Sequence, residues 1–133
     1  MGKNNEKLAL NRAAAEIRLT FDIVGLINNK EAAKNVKAAI QKQADEISKT
    51  LPLFVGNFKN AGLTRRTIAI STSDWRNDGS MSFSDWSKAV RNAAQKIVRS
   101  AKNVEGVRLI EYKGEIIDRG SGSQIKIPFE IKV

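Results

Sequence analysis

Ile17-Arg18-Leu19-Thr20-Phe21-Asp22-Ile23 alternates apolar and polar side chains at every step. A period of two belongs to a strand with one face buried. Ile17, Leu19, Phe21 and Ile23 therefore face a core, while Arg18, Thr20 and Asp22 face water. Gly25 ends this strand, and Leu26 and Ile27 lead to Asn28 and Asn29, residue types that cap helices. Beyond them the period changes. Ala33, Val36, Ile40, Ala44, Ile47 and Leu51 recur at steps of three and four, which predicts an amphipathic helix over residues 30–51. Pro52 stops it.

Outward from this strand–helix pair the pattern repeats. Residues 53–65 contain Gly56, Asn57, Asn60 and Gly62 and read as an irregular loop, with Phe54 and Phe58 anchoring it to the core. Residues 66–72 read as a second strand with Ile68 and Ile70 inward. After the turn residues Asp74 to Ser80, Ser82 and Asp85 form a weak capping box. A second helix over 84–102 puts Trp86, Ala89, Val90, Ala93, Ala94, Ile97 and Ala101 on one side. Val107 to Tyr112 is a third strand, broken at Gly114, with 115–118 continuing it or pairing back. In the last strand Ile125, Ile127, Phe129, Ile131 and Val133 alternate with Lys126, Pro128, Glu130 and Lys132. Pro128 cannot donate a ladder hydrogen bond, which places this strand at an edge or at a bulge. The order is β-α-β-α-β-β, an α+β fold with two amphipathic helices packed on one antiparallel or mixed sheet. Residues 1–15 read as a flexible N-terminal arm ahead of a single domain, 16–133.

Leu, Ile, Val and Phe make up about 26% of the 133 residues, above the roughly 20% below which a charged chain stays disordered. The chain has no cysteine and no histidine. Disulfide frameworks, thiol nucleophiles and thiolate zinc sites are thereby excluded, and the commonest general base and metal ligand is missing. We expect no enzyme activity, no cofactor, no metal and no small-molecule substrate. Expected localisation is cytoplasmic at synthesis, because the first residues carry no apolar signal segment. Glu6 stands where an N-acylation motif needs Ser or Thr. No stretch is apolar enough to span a membrane.

Lys and Arg total 23 against 14 acids, a net charge of +9. Such a field draws polyanions. Its densest line lies on the second helix, where Lys88, Arg91, Gln95, Arg99 and Lys102 fall within about 80° of arc opposite the apolar side. No acid occurs between Asp85 and Glu105. The line fits contact with nucleic-acid phosphates, contact with an acidic partner, or a solvated outer face. The first helix carries a lesser version in Lys30, Lys34 and Lys37.

Other motifs are weaker. Asp74, Asp78, Gly79 and Asp85 match four positions of a calcium loop, but Arg76 sits where a ligand oxygen is needed. A turn followed by a helix cap explains the same residues. Trp75, beside Arg76, is either an exposed stacking residue or a lid over a core edge. Gly120-Ser121-Gly122-Ser123 precedes a strand and not a helix, so it reads as a flexible hairpin connection and not a phosphate loop. Glu111, Glu115 and Asp118 share a hairpin with Lys113 and Arg119, a mixture usual on exposed surface.

Residues 21–59 carry one longer pattern. Phe21-Asp22-Ile23-Val24-Gly25-Leu26 ends a strand, a helix of about twenty residues follows, and then comes Leu51-Pro52-Leu53-Phe54-Val55-Gly56-Asn57-Phe58-Lys59. This run resembles small head–tail connector and tail-completion proteins of tailed phages, which carry Pro, three residues, Thr-Gly-Asn, an apolar residue and a base. Pro52, Gly56, Asn57, Phe58 and Lys59 match that order, and Val55 replaces the Thr with two residues and not three after Pro52. Those proteins finish with a loop and a helix. The helix and closing hairpin of this chain are instead similar to the tail-terminator branch. The resemblance implies a virion component without catalysis, assembled as a ring with other virion proteins around a lumen that passes DNA. On that reading Phe54, Phe58, Lys126 and Pro128 contact neighbouring subunits, and non-specific DNA contact falls to Lys88, Arg91, Arg99 and Lys102. A small basic nucleic-acid-binding module is the alternative.

Overall fold

A computed structural model describes residues 11–23, 29–120 and 125–133. The first strand, β1 (Arg12–Ile23), runs through the middle of a seven-stranded antiparallel sheet. Its inward row follows the alternation in full: Ala13, Ala15, Ile17, Leu19, Phe21 and Ile23 are all buried. The strand begins earlier than its apolar alternation, so residues 12–15 belong to the sheet and not to an arm. Residues 1–10 of the expected arm, the Gly25–Asn28 strand end and cap, and Ser121–Ser123 of the hairpin connection lie outside the described residues.

On one side of β1 lies β4 (Arg65–Thr72), paired Ile17 to Ile70 and Leu19 to Ile68. Beyond β4 lie two short strands, β2 (Leu53–Val55) and β3 (Lys59–Asn60). The segment read as an irregular loop is thus partly edge strand. Gly56 donates its amide to the Ala69 carbonyl at 2.9 Å, which carries the ladder across the gap between β2 and β3. A two-residue strand, β5 (Trp75–Arg76), pairs with the start of β1.

On the other side lies β6 (Val107–Asp118), one continuous strand. Gly114 does not break it. It pairs with Ile17 on β1 and with Phe129 on β7 (Ile125–Phe129), and the Phe129 ring fills the place of its missing side chain. A Cβ on Gly114 would lie 2.3 Å from that ring. The irregular alternation of β6 has a separate cause. The register against β1 shifts between Thr20 and Phe21, where Thr20 faces Glu111 but Phe21 faces Leu109. The bulge leaves Ile110 as the extra residue and keeps Leu109 and Tyr112 on the core face.

Two helices cover one face. The first, α1 (Asn29–Ile47), buries Ala32, Val36, Ile40 and Ala44. Residues 48–51 leave it as a hydrogen-bonded turn that delivers buried Leu51 to the core. The second, α2 (Phe83–Lys102), buries Trp86, Val90, Ala93, Ala94, Ile97, Val98 and Ala101. Ser82 caps it, its hydroxyl accepting from the Asp85 amide at 3.0 Å. Trp75 packs edge-on to Phe83 at 5.4 Å and donates its indole N–H to the Met81 carbonyl, so it is a core lid and not an exposed stacking residue. No helix among the described residues is long and apolar enough to cross a membrane.

Candidate functional site

The uncovered sheet face and the two sheet edges carry the residues expected as subunit contacts. β7 is one edge, with no described strand on its outer side. The Pro128 constraint is met there. The expected inward row of this strand is not. Ile125 and Ile127 are 53% and 47% exposed, Phe129 is half-buried over Gly114, and only Ile131, past the strand end, is fully in the core. These residues do point to the helix side, since Ile127 pairs with buried Ile116. The helices simply do not reach that far. Lys126 and Pro128 on the opposite face are exposed as well.

The other edge is formed by β2 and β3. Phe54 is 59% exposed on β2. Phe58 behaves otherwise: its ring stands edge-on to Phe21 at 6.0 Å and anchors the segment to the core. The two phenylalanines expected as subunit contacts therefore divide into one outward-facing side chain and one anchor. Next to them Asn57 accepts a hydrogen bond from the Lys37 ammonium at 2.7 Å, which ties this edge to α1.

The uncovered sheet face carries both signs of charge. Glu16 pairs with Arg18, Asp22 with Arg108 and Glu111 with Lys113. The Thr64 hydroxyl donates to Asp22 at 2.6 Å, and with Arg108 and Arg65 nearby it holds that carboxyl below the usual carboxylate range against partial burial. Thr20 and Thr67 share a hydrogen bond across β1 and β4.

The basic line of α2 is outward-facing. Lys88, Arg91, Arg99 and Lys102 are exposed, and none makes an ion pair among the described residues. Arg91 is not a plain solvated cation, however. Its guanidinium lies over the Phe129 ring, 5.8 Å from the centroid, and so bridges α2 to the β7 edge.

Asp74 of the candidate calcium loop faces the guanidinium groups of Arg12 at 3.4 Å and Arg119 at 3.8 Å. Asp78 accepts from the hydroxyl and amide of Ser80, which closes the turn and lowers its pKa. Both carboxylates are thus engaged in a turn and an ion cluster. Exposed Ile125 and Ile127 were missed by alternation, since a period reports a face and not what covers it.

No protein-family model and no curated protein matches the chain. Solved structures give partial likenesses. The de novo designed protein Foldit4 is similar with a TM-score of 0.48 at 10% identity, over 77% of this chain and 94% of that one. A phage SAM lyase bound to S-methyl-5'-thioadenosine is similar with a TM-score of 0.42 at 14% identity, over 94% and 95%. A C-terminal segment of the alpha subunit of aIF2 from Pyrococcus abyssi gives 0.37 at 19% identity, over 74% of this chain and 50% of that one. At these TM-scores the likenesses assign no function.

Proposed function

We propose that this protein is a non-enzymatic assembly subunit that joins copies of itself head to tail through its two sheet edges. The observation that carries this is a pair of edges without a further strand among the described residues: β7 with exposed Ile125 and Ile127, and β2 with exposed Phe54. Unpaired edges with apolar side chains are a liability for a free subunit, and strand addition relieves it. The two edges differ in sequence, so their union is heterologous. Such contacts close into rings or propagate as filaments, according to the rotation between copies. A ring fits the neck or tail-completion role that the resemblance at residues 21–59 implies. A second reading, contact with DNA through Lys88, Arg99 and Lys102, is favoured by the absence of any acid paired with them among the described residues.

The test is sedimentation of wild type, Phe54→Asp and Ile127→Asp. Wild type should form a defined oligomer, and each variant alone should be a monomer. An equimolar mixture of the two variants should form a dimer, because each supplies the edge the other lacks. Wild type that stays monomeric at high concentration, or variants that keep the wild-type size, would overturn the assembly reading. A monomer that binds duplex DNA with steep salt dependence would leave the second reading standing.

A further inference from the structure

β2 and β7 run in the same direction, because every junction along the path β2-β4-β1-β6-β7 is antiparallel. Two copies can join these edges in two ways. Copies in the same orientation pair them in parallel and keep all helices on one face of the continued sheet. A copy turned over pairs them antiparallel and sets its bare face beside Ile125 and Ile127. Coverage separates the two. α1 packs over β2 and α2 packs over β6, so each helix stands just inside one edge. In the parallel union α1 of the next copy comes to the far side of the exposed row of Ile125 and Ile127, which then lies between two helices. The turned-over copy brings no helix to that side and leaves the row uncovered from above.

Charge points the same way. On α1, Lys37, Gln41 and Asp45 stand at i, i+4 and i+8, one line along the helix. Lys37 donates to Asn57 of the edge segment at 2.7 Å and Gln41 donates to Asp45 at 2.9 Å, so this line follows the flank above the β2 edge. Asp45 is exposed and makes no ion pair among the described residues. On α2, Arg91 over the Phe129 ring marks the flank turned to β7, and exposed Lys88 lies one turn before it. The flanks that the two helices turn to each other within one copy carry other residues: Gln43 and Ile47 of α1 and Ala89 and Asn92 of α2 line one hollow between them. That hollow also fixes the level. Residues 43–47 stand opposite 89–92, so Asp45 and Lys88 lie at the same height above the sheet on opposite outer sides of the helix pair.

We infer that copies join in the same orientation, β7 in parallel with β2 of the next copy, and that Lys88 pairs with Asp45 of that copy. The inference rests on the assembly reading and adds to it the orientation and the contact that selects it. Edge hydrogen bonds and the covered isoleucines supply affinity, and the charge pair supplies direction. At the other end of the seam Arg99 and Lys102 come level with Lys34 and Lys37 of the next copy, like charge against like.

The experiment is sedimentation of the full chain and its charge variants over a range of concentration, with thermal melts to check that each stays folded. Lys88→Glu and Asp45→Lys should each weaken self-association about fivefold. An equimolar mixture of the two should return to within about twofold of wild type, because each variant supplies the charge that the other now needs. Arg99→Gln with Lys102→Gln should strengthen association by about twofold. Cross-linking gives a second readout. The chain has no cysteine, so Asp45→Cys with Lys88→Cys in one chain offers a short bismaleimide two sites alone. Their side chains lie on opposite outer flanks within a copy, so the product should be a ladder of linked copies. An oligomer that gives no ladder, or whose affinity ignores both charge reversals, would overturn this inference and leave the assembly reading standing. A wild type that sediments as a monomer at every concentration would remove the assembly reading and this inference with it.

Discussion

β1 and β7 have the same written pattern and opposite fates. Both alternate apolar and polar residues, and both turn their apolar row to the helix-covered side of one sheet. In β1 that row is exposed by 4% or less from Ala13 to Ile23. In β7 its first two members are about half exposed. The difference is position across the sheet. β1 has β4 and β6 on its flanks and both helices above it, whereas β7 has one flanking strand and lies beyond the helices. Alternation is a local property of a strand, and coverage is decided by the elements that pack over it.

The sharpest way to break the comparison is to place the same charge on each strand. Leu19→Asp puts a carboxylate where exposure is 0%. It should cost more than about 4 kcal/mol and leave no cooperative melt. Ile127→Asp places the group where water already reaches, so it should cost about 1 kcal/mol or less under conditions where the protein is monomeric. Urea denaturation of the two variants checks both, and equal losses would mean that β7 is covered in solution.

Gly114→Ala probes the join between covered and uncovered strand. The added methyl must push the Phe129 ring from its seat, which also separates it from Arg91. We expect a loss of about 1–3 kcal/mol, with the β7 amides losing hydrogen-exchange protection before those of β1. Uniform loss of protection across the sheet would show instead that β7 melts together with the core.

The smallest effect lies on the uncovered face of β1. The Asp22 carboxyl has its pKa lowered in the folded state by Thr64 and then Arg108. A lowered folded pKa contributes stability that is present above the ordinary carboxylate range and lost as pH falls through the folded value. Asp22→Asn should therefore flatten the acid limb of the stability curve below about pH 4, with little change near neutrality. An unchanged acid limb would show that these partners do not act on Asp22 in solution.

The class and element order were legible because each long element except the bulged β6 carries its own period. The burial of Val36, Ile40 and Ala44 in α1, and of Trp86, Val90 and Ile97 in α2, follows from helical spacing alone. The exposure of Lys88, Arg99 and Lys102 follows from the same wheel. Short strands were illegible. β2 and β3 are three and two residues long, too brief to show a period among their glycines and asparagines.

By itself the sequence determined which residues turn toward a core, that two helices and a sheet would form, and that histidine and cysteine chemistry was excluded. These follow from local spacing and from composition. Only the tertiary structure decided where coverage stops. Gly114 could be a break or a seat, and the ring of Phe129, fifteen residues on, made it a seat. Arg91 was one cation in a line until that ring came to lie beneath it. Phe54 and Phe58, four residues apart in one segment, went outward and inward because only Phe58 came within reach of Phe21. Each of these outcomes depends on contacts between residues distant in the chain, which no local period records.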